Sequence, residues 1–202
     1  MPGPKLCRLA VATVLIAGAQ AAPRAESVYF QDMNLEFAVR QALGQLTGPL
    51  ERADVAALTT LEAEQINALG GIEACTGLAS LTVTGGSLAD LSPLSELTAL
   101  EHLAVTGAGI CDIDALAGLT GLRTVDLSDN AVGSLVPLQG ATGIEELNVR
   151  RNAIRNLNGL QAMQSLAWLD AGENKLIDVC ALAPISGLLE LYLDENFLGE
   201  LT

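Results

Sequence analysis

The sequence predicts an α/β solenoid, a curved stack of short parallel strands joined by tight turns and closed at its N-terminal end by helices. Three features lead to that fold. LRTVDLSDNAVGSLVPLQGATG (122–143) and IEELNVRRNAIRNLNGLQAMQS (144–165) are 22-residue blocks that superimpose without a gap. Leu122, Val125, Leu127, Asn130, Val132, Leu135 and Leu138 fall in step with Ile144, Leu147, Val149, Asn152, Ile154, Leu157 and Leu160, and a fixed period of this kind marks a repeat architecture. Within a block the first, fourth and sixth positions are apolar and alternate with polar ones, the period-2 pattern of a strand with one buried face. Half of the 202 residues are hydrophobic but only 3% are aromatic, so the core must be built from closely stacked Leu, Ile, Val and Ala.

The first residues read as an export signal. Lys5 and Arg8 give a positive start, Leu9 to Ala17 is an apolar run, and Ala19-Gln20-Ala21 suits cleavage after Ala21. The run is too short to span a bilayer, and Cys7 lies ahead of it, misplaced for a lipoprotein signal. Residues 1–21 are therefore assigned to the signal, and the remainder to an exported chain, whether secreted, periplasmic or on the cell surface. Losing Lys5 and Arg8 from 10 basic residues leaves 8 against 24 acidic ones, a charge of −16. That balance argues against nucleic acid and anionic membrane as partners, and against membrane insertion after cleavage.

Residues 22–57 form an approach segment and a cap. From Asn34, the expected N-cap, Leu35, Ala38, Val39, Ala42, Leu43 and Leu46 share one helical face, with Glu36 in the first turn and Gly44 near the end. A turn at Gly48-Pro49 leads to a short second helix over 52–57, with Val55, Ala57 and Leu58 inward. Blocks beginning at Leu58, Leu78, Leu100, Leu122, Ile144, Leu166 and Leu188 then fill 58–202 as six full repeats and a partial seventh. Pro137 within Leu135–Leu138, and Pro93 within Asp90–Leu94, leave room on the convex side only for turns and single 3₁₀ segments.

These blocks resemble the leucine-rich repeat of the 22-residue class. NLEFAVRQALGQLTGPLERADVAALTTLEA (34–63) is similar to the helical N-terminal cap of secreted bacterial internalin-like proteins. The resemblance implies a right-handed horseshoe with a concave parallel sheet, whose cap covers the first strand; a solenoid's first repeat has no neighbour to bury its core face. Asn130, Asn152, Asn174 and Asn196 recur at the ninth position, where a buried carboxamide satisfies turn backbone in its own and the adjacent repeat. Gly86 and Ala108 replace it in earlier blocks, so the first turns are expected to be irregular and looser. The chain stops at Leu201-Thr202 without a closing element, which is expected to expose Leu198, Leu201 and the last strand's edge; a fragment, or an edge covered by another subunit, would follow.

Chemistry is sparse. There is no nucleophile elbow, no phosphate-cradling glycine loop with Lys, and a single histidine, His102, so no enzyme and no cofactor is expected. Cys75 falls in the register of Leu97, Leu119, Met163 and Ile185 and reads as core. Cys111 and Cys180 stand on the outer side three repeats apart, roughly 14–15 Å at strand spacing, beyond disulfide reach. Neither a disulfide framework nor a zinc site is expected.

Recognition has a place to sit. The resemblance implies that the third, fifth, seventh and eighth positions face outward on the concave sheet and its edge. The third column is Thr60, Ser80, His102, Thr124, Glu146, Trp168, Glu190; the fifth is Glu62, Thr82, Ala104, Asp126, Asn148, Asp170, Tyr192. The seventh is Glu64, Thr84, Thr106, Ser128, Arg150, Gly172, Asp194, and the eighth is Gln65, Gly85, Gly107, Asp129, Arg151, Glu173, Glu195. Blocks two and three present small side chains, whereas blocks four to seven present charges and two aromatics. Trp168 and Tyr192, two residues apart in register on adjacent strands, can share one contact surface, and Trp, Tyr and Arg dominate binding hot spots. Arg151, between Asp129 and Glu173, reads as part of a salt-bridge ladder; Arg150, between Ser128 and Gly172, reads as the freer donor. Asp126, Asn148 and Asp170 line one column and read as solvated, hydrogen-bonded groups rather than calcium ligands, and His102 as a bystander. The expected partner-binding set is Arg150, Trp168, Asp170, Tyr192, Asp194, Glu190, Asp126 and Asn148. The expected function is non-catalytic binding of a protein, with a glycan as the less favoured partner, through the concave face of blocks four to seven. The alternatives are a targeting or scaffolding arm of a larger protein, and an intracellular phosphatase-regulator-like repeat.

Overall fold

Each block contributes one strand to a single parallel sheet. The computed structural model describes residues 26–199, so the export signal and Leu201 lie outside the described residues. The strands are β1 (Thr60–Ile66), β2 (Ser80–Gly86), β3 (His102–Thr106), β4 (Thr124–Asp126), β5 (Glu146–Asn148), β6 (Trp168–Asp170) and β7 (Glu190–Tyr192), ordered as in the sequence. Every strand opens at the third position of its block, and the register follows the block columns, as in Thr124↔Glu146, Glu146↔Trp168 and Trp168↔Glu190. The structure is a leucine-rich-repeat solenoid with 3₁₀ segments on its convex side, such as Ser92–Glu96, Asp114–Gly118 and Val136–Gly140.

The period-2 alternation sends the fourth and sixth positions into the core, where Leu147, Val149, Leu169 and Ala171 are fully buried. Ile154, Leu157 and Leu160 close the core from the convex side. Cys75 is buried in the same stack, where desolvation and then the nearby Glu73 push its thiol up to about 12. Cys111 and Cys180 are exposed, as the outer register requires.

The cap consists of α1 (Met33–Leu43) and α2 (Arg52–Ala56). Asp32, not Asn34, caps α1. Its Oδ1 accepts from the backbone N–H of Asn34 (2.8 Å) and Leu35 (3.3 Å), while Oδ2 accepts from Asn67 N–H at 2.8 Å. A carboxylate offers acceptors to helix and loop at once, and Asn34 is released to donate its Nδ2 to Gln65 O on β1. Burial pushes Asp32 up, yet the N–H donors of Asn67, Asn34, Leu35 and Ala68 outweigh it and hold the group below the usual carboxylate range. Leu35 and Val39 are buried and Ala42 is exposed, because α1 packs chiefly on one strand and buries a narrow stripe; Leu46 is exposed because it lies past the left-handed Gly44 that ends the helix.

The early blocks are not looser than the rest. β1 and β2 run seven residues against three for β4 to β7, so Ile66 and Gly86 pair within the ladder itself. Ile66 and Ala108 fill the asparagine slot with buried apolar groups. The eighth position is left-handed in all seven blocks, from Gln65 (φ 53°), Gly85 (φ 68°) and Gly107 (φ 61°) through Asp129, Arg151, Glu173 and Glu195. Regularity survives because each asparagine also serves the block before it. Asn130 Oδ1 accepts from Ala108 N–H and Ile110 N–H, and its Nδ2 donates to Val105 O, Leu127 O and Ser128 O. Asn152, Asn174 and Asn196 repeat this, accepting from Val132, Ile154 and Leu176 N–H. At the far end Leu198 is half-buried against the core rather than exposed, whereas Leu189 and Phe197 are 83% and 70% exposed.

Candidate functional site

The concave face is built from the third- and fifth-position columns. Trp168 is half-buried on β6, and Tyr192 on β7 stands diagonally across from it, ring centroids 5.8 Å apart with an interplanar angle of 51°. The two rings therefore pack side by side, as the column register implies. The Tyr192 hydroxyl donates to Glu190 Oε2 at 3.0 Å, and this carboxylate raises the tyrosine's pKa. Glu146 and Glu190 are the register neighbours of Trp168 on either side.

The fifth-position side chains have a structural task that the columns alone did not disclose. Asp126 Oδ1 accepts from Ser128 N–H (2.9 Å), Asn148 Oδ1 from Arg150 N–H (3.1 Å) and Asp170 Oδ1 from Gly172 N–H (2.9 Å). Each forms an Asx turn where its strand stops. Asn148 Nδ2 also donates to Asp126 Oδ2 at 3.1 Å, so these groups bond along the column. An Asx residue two positions before the turn in three successive blocks was the signal for it. Among the described residues no group of three or more His, Cys, Asp or Glu is arranged to hold a metal ion.

Arg150 is not the freer donor. Its guanidinium bonds Glu173 Oε1 (2.7 Å) and Asp194 Oδ2 (2.7 Å) through Nη2 and lies 3.4 Å from Asp170 Oδ1 through Nη1. Gly172, which removed an acidic neighbour from the column, instead opens the way: a Cβ there would come within 2.5 Å of Arg150 Nη1 and 2.7 Å of Asp194 Oδ1. Arg151 behaves as expected, bridging Glu173 (2.9 Å) and Asp129 (3.5 Å). The hydrogen bonds of Arg151 and then Arg150 hold Glu173 below its usual range, and Arg150 does the same for Asp194.

A groove of about 340 Å³ runs along the concave face, lined by Ser80, Thr82, His102 and Ala104 from β2 and β3 and by Glu146, Asn148 and Trp168 from β5 and β6. The small residues of blocks two and three are thus part of the site's shape, because their short side chains leave the depression that Trp168 bounds. His102 is fixed by its Nδ1, 2.6 Å from Thr124 Oγ1. Of the expected set, Asp126, Asn148 and Trp168 line the groove; Tyr192 and Glu190 adjoin Trp168, and Arg150, Asp170 and Asp194 form the ionic cluster beside it.

Internalin F of Listeria monocytogenes has the same architecture, with a TM-score of 0.83 at 29% identity over 85% of this chain and 52% of that one. The chain is a leucine-rich-repeat solenoid that resembles the internalins. Internalin C2 of the same organism matches with a TM-score of 0.81 at 29% identity, over 85% of this chain and 78% of that one. The chain spans about half the length of the internalin F structure. No protein-family model and no curated protein matches the sequence. In this internalin-like solenoid the parallel strands carry a net-acidic sheet face on which, among the described residues, Trp168 and Tyr192 offer the large aromatic surface.

Proposed function

We propose that the chain is an exported, non-catalytic protein-binding module that engages its partner through the concave face of blocks four to seven. The observation that carries this reading is the Trp168–Tyr192 pair, two hot-spot residue types held in contact on an outward sheet face. Strand-mounted side chains lose little freedom on association, so the face is preorganised. Asp126, Asn148, Asp170 and Asp194 enter as positioned carboxylates and amides, and Arg150 enters by organising Asp170, Glu173 and Asp194 rather than as a donor to the partner. Among the described residues no helix is long and apolar enough to cross a membrane.

The test is a capture from the native secretome followed by affinity measurement. Trp168→Ala combined with Tyr192→Ala is expected to weaken binding at least tenfold, about 1.4 kcal/mol, with the circular dichroism spectrum retained; unchanged affinity sinks the concave-face reading. An N-terminus beginning at Ala22 on the exported chain is expected, and an intact N-terminus in the cytoplasm would favour the intracellular alternative instead. A scaffolding arm of a larger protein draws support from the apolar depression that Ile177, Leu188, Leu191 and Leu198 line together, a surface suited to a further packed element. Reading the frame downstream of codon 202 separates that role from the stand-alone binder.

A further inference from the structure

We infer that the Trp168 platform takes an arginine side chain from a basic segment of the protein partner, an assignment that rests on the concave face being the protein-binding surface. Two glutamates flank Trp168 in the third-position column. Glu146 and Glu190 pair with Trp168 in register on β5 and β7, which sets each backbone about 4.8 Å from that of Trp168. Tyr192 packs at 5.8 Å and fixes Glu190 through its hydroxyl, so both the platform and one carboxylate are held before any ligand arrives.

Among the described residues no cation forms an ion pair with Glu146 or Glu190. Arg150 is taken by Asp170, Glu173 and Asp194, Arg123 by Glu101 and Glu145, and Arg151 by Asp129 and Glu173. Glu146 is left without an ion-pair partner among the described residues, and it lines the groove together with Trp168. A chain of net charge −14 adds a long-range attraction for a basic segment.

A planar guanidinium suits the arrangement better than an ammonium. It stacks on an indole face while its edge donates in a fork to a carboxylate beside the ring, and it gives up its hydration more readily than lysine does. An uncharged sugar could also stack on Trp168, but it would gain nothing from two carboxylates that it must partly desolvate. Charge complementarity therefore selects the basic peptide.

Trp168 is the chain's single tryptophan, so its fluorescence reports directly on the platform. The full chain is titrated with an oligo-arginine peptide of about nine residues, and with oligo-lysine, oligo-glutamate and an uncharged oligosaccharide of similar size. The expected result is a saturable change in Trp168 emission with oligo-arginine, about tenfold weaker affinity for oligo-lysine, and weakening as salt rises from about 50 to about 300 mM. Glu146→Gln with Glu190→Gln is expected to weaken oligo-arginine binding about tenfold without changing Tm. The inference is overturned if the oligosaccharide alone moves the emission, if oligo-lysine binds as well as oligo-arginine, if oligo-arginine leaves the emission unmoved, or if the double Gln variant binds as tightly as the parent. A partner captured through Trp168 and Tyr192 whose affinity ignores both glutamates would overturn the arginine assignment while leaving concave-face binding intact.

Discussion

Arg150 reaches Asp194 across an intervening strand, a backbone separation of about 9–10 Å at strand spacing, because Gly172 presents no side chain in between. Gly172→Ala places a methyl group where the guanidinium and the Asp194 carboxylate meet. The expected outcome is that the Asp194 carboxyl returns toward the ordinary aspartate range, followed by carboxyl-carbon NMR titration. An Asp194 that stays depressed in the variant would show that the bridge does not depend on the gap. Column order was enough to place Trp168 beside Tyr192, since short-range diagonal neighbours follow from register. It misjudged Arg150 because an arginine side chain reaches beyond its own row, and a missing side chain is a passage as well as an absence.

At the scale of the element, the turns after the strands are stabilised in two ways. Early strands extend the backbone ladder to the ninth position, and later ones stop at the Asx turns of Asp126, Asn148 and Asp170, where the asparagine ladder takes over. Asn174 is the most enclosed rung: it accepts from Ile154 N–H at 3.0 Å and donates to Val149 O, Ala171 O and Gly172 O. Asn174→Ala leaves these groups buried and unpaired, and urea unfolding is expected to show a loss of about 1–3 kcal/mol. Asn196→Ala is expected to cost less, because its half-buried site admits water. Equal losses at the two positions would contradict the role assigned to enclosure. The ladder itself was legible from four asparagines at one spacing. That blocks lacking it would be just as regular was not, since the compensation lies in strand length and in the reach of Asn130 back to Ala108 and Ile110.

Across the whole molecule, cap and repeats form one stack whose stability is a sum of neighbour contacts, and acid acts on it through particular carboxylates. Asp32 joins the cap to the first repeat and is held below its ordinary range by backbone donors. A carboxyl whose folded pKa is depressed contributes stability above its unfolded pKa, and that contribution disappears as pH falls through the folded value. Asp32→Asn removes the titrating group, so the fall in Tm from about pH 5 to about pH 2 is expected to be shallower in the variant than in the parent. The general relief of negative charge repulsion on acidification is common to both proteins and cancels in the comparison. Parallel pH profiles would rule out Asp32 as a contributor.

The sequence by itself determined the solenoid, the opening of each strand at the third position of its block, the facing columns and the aromatic pair. These follow from a 22-residue period and a two-residue pleat, which act locally and repeat identically along the chain. Only the tertiary structure decided that Asp32 rather than Asn34 caps α1, that Arg150 is engaged by three carboxylates, and that the small residues of blocks two and three shape the groove. Those outcomes depend on which groups from separate blocks come within hydrogen-bonding reach and on the space left between them, and periodicity carries neither quantity.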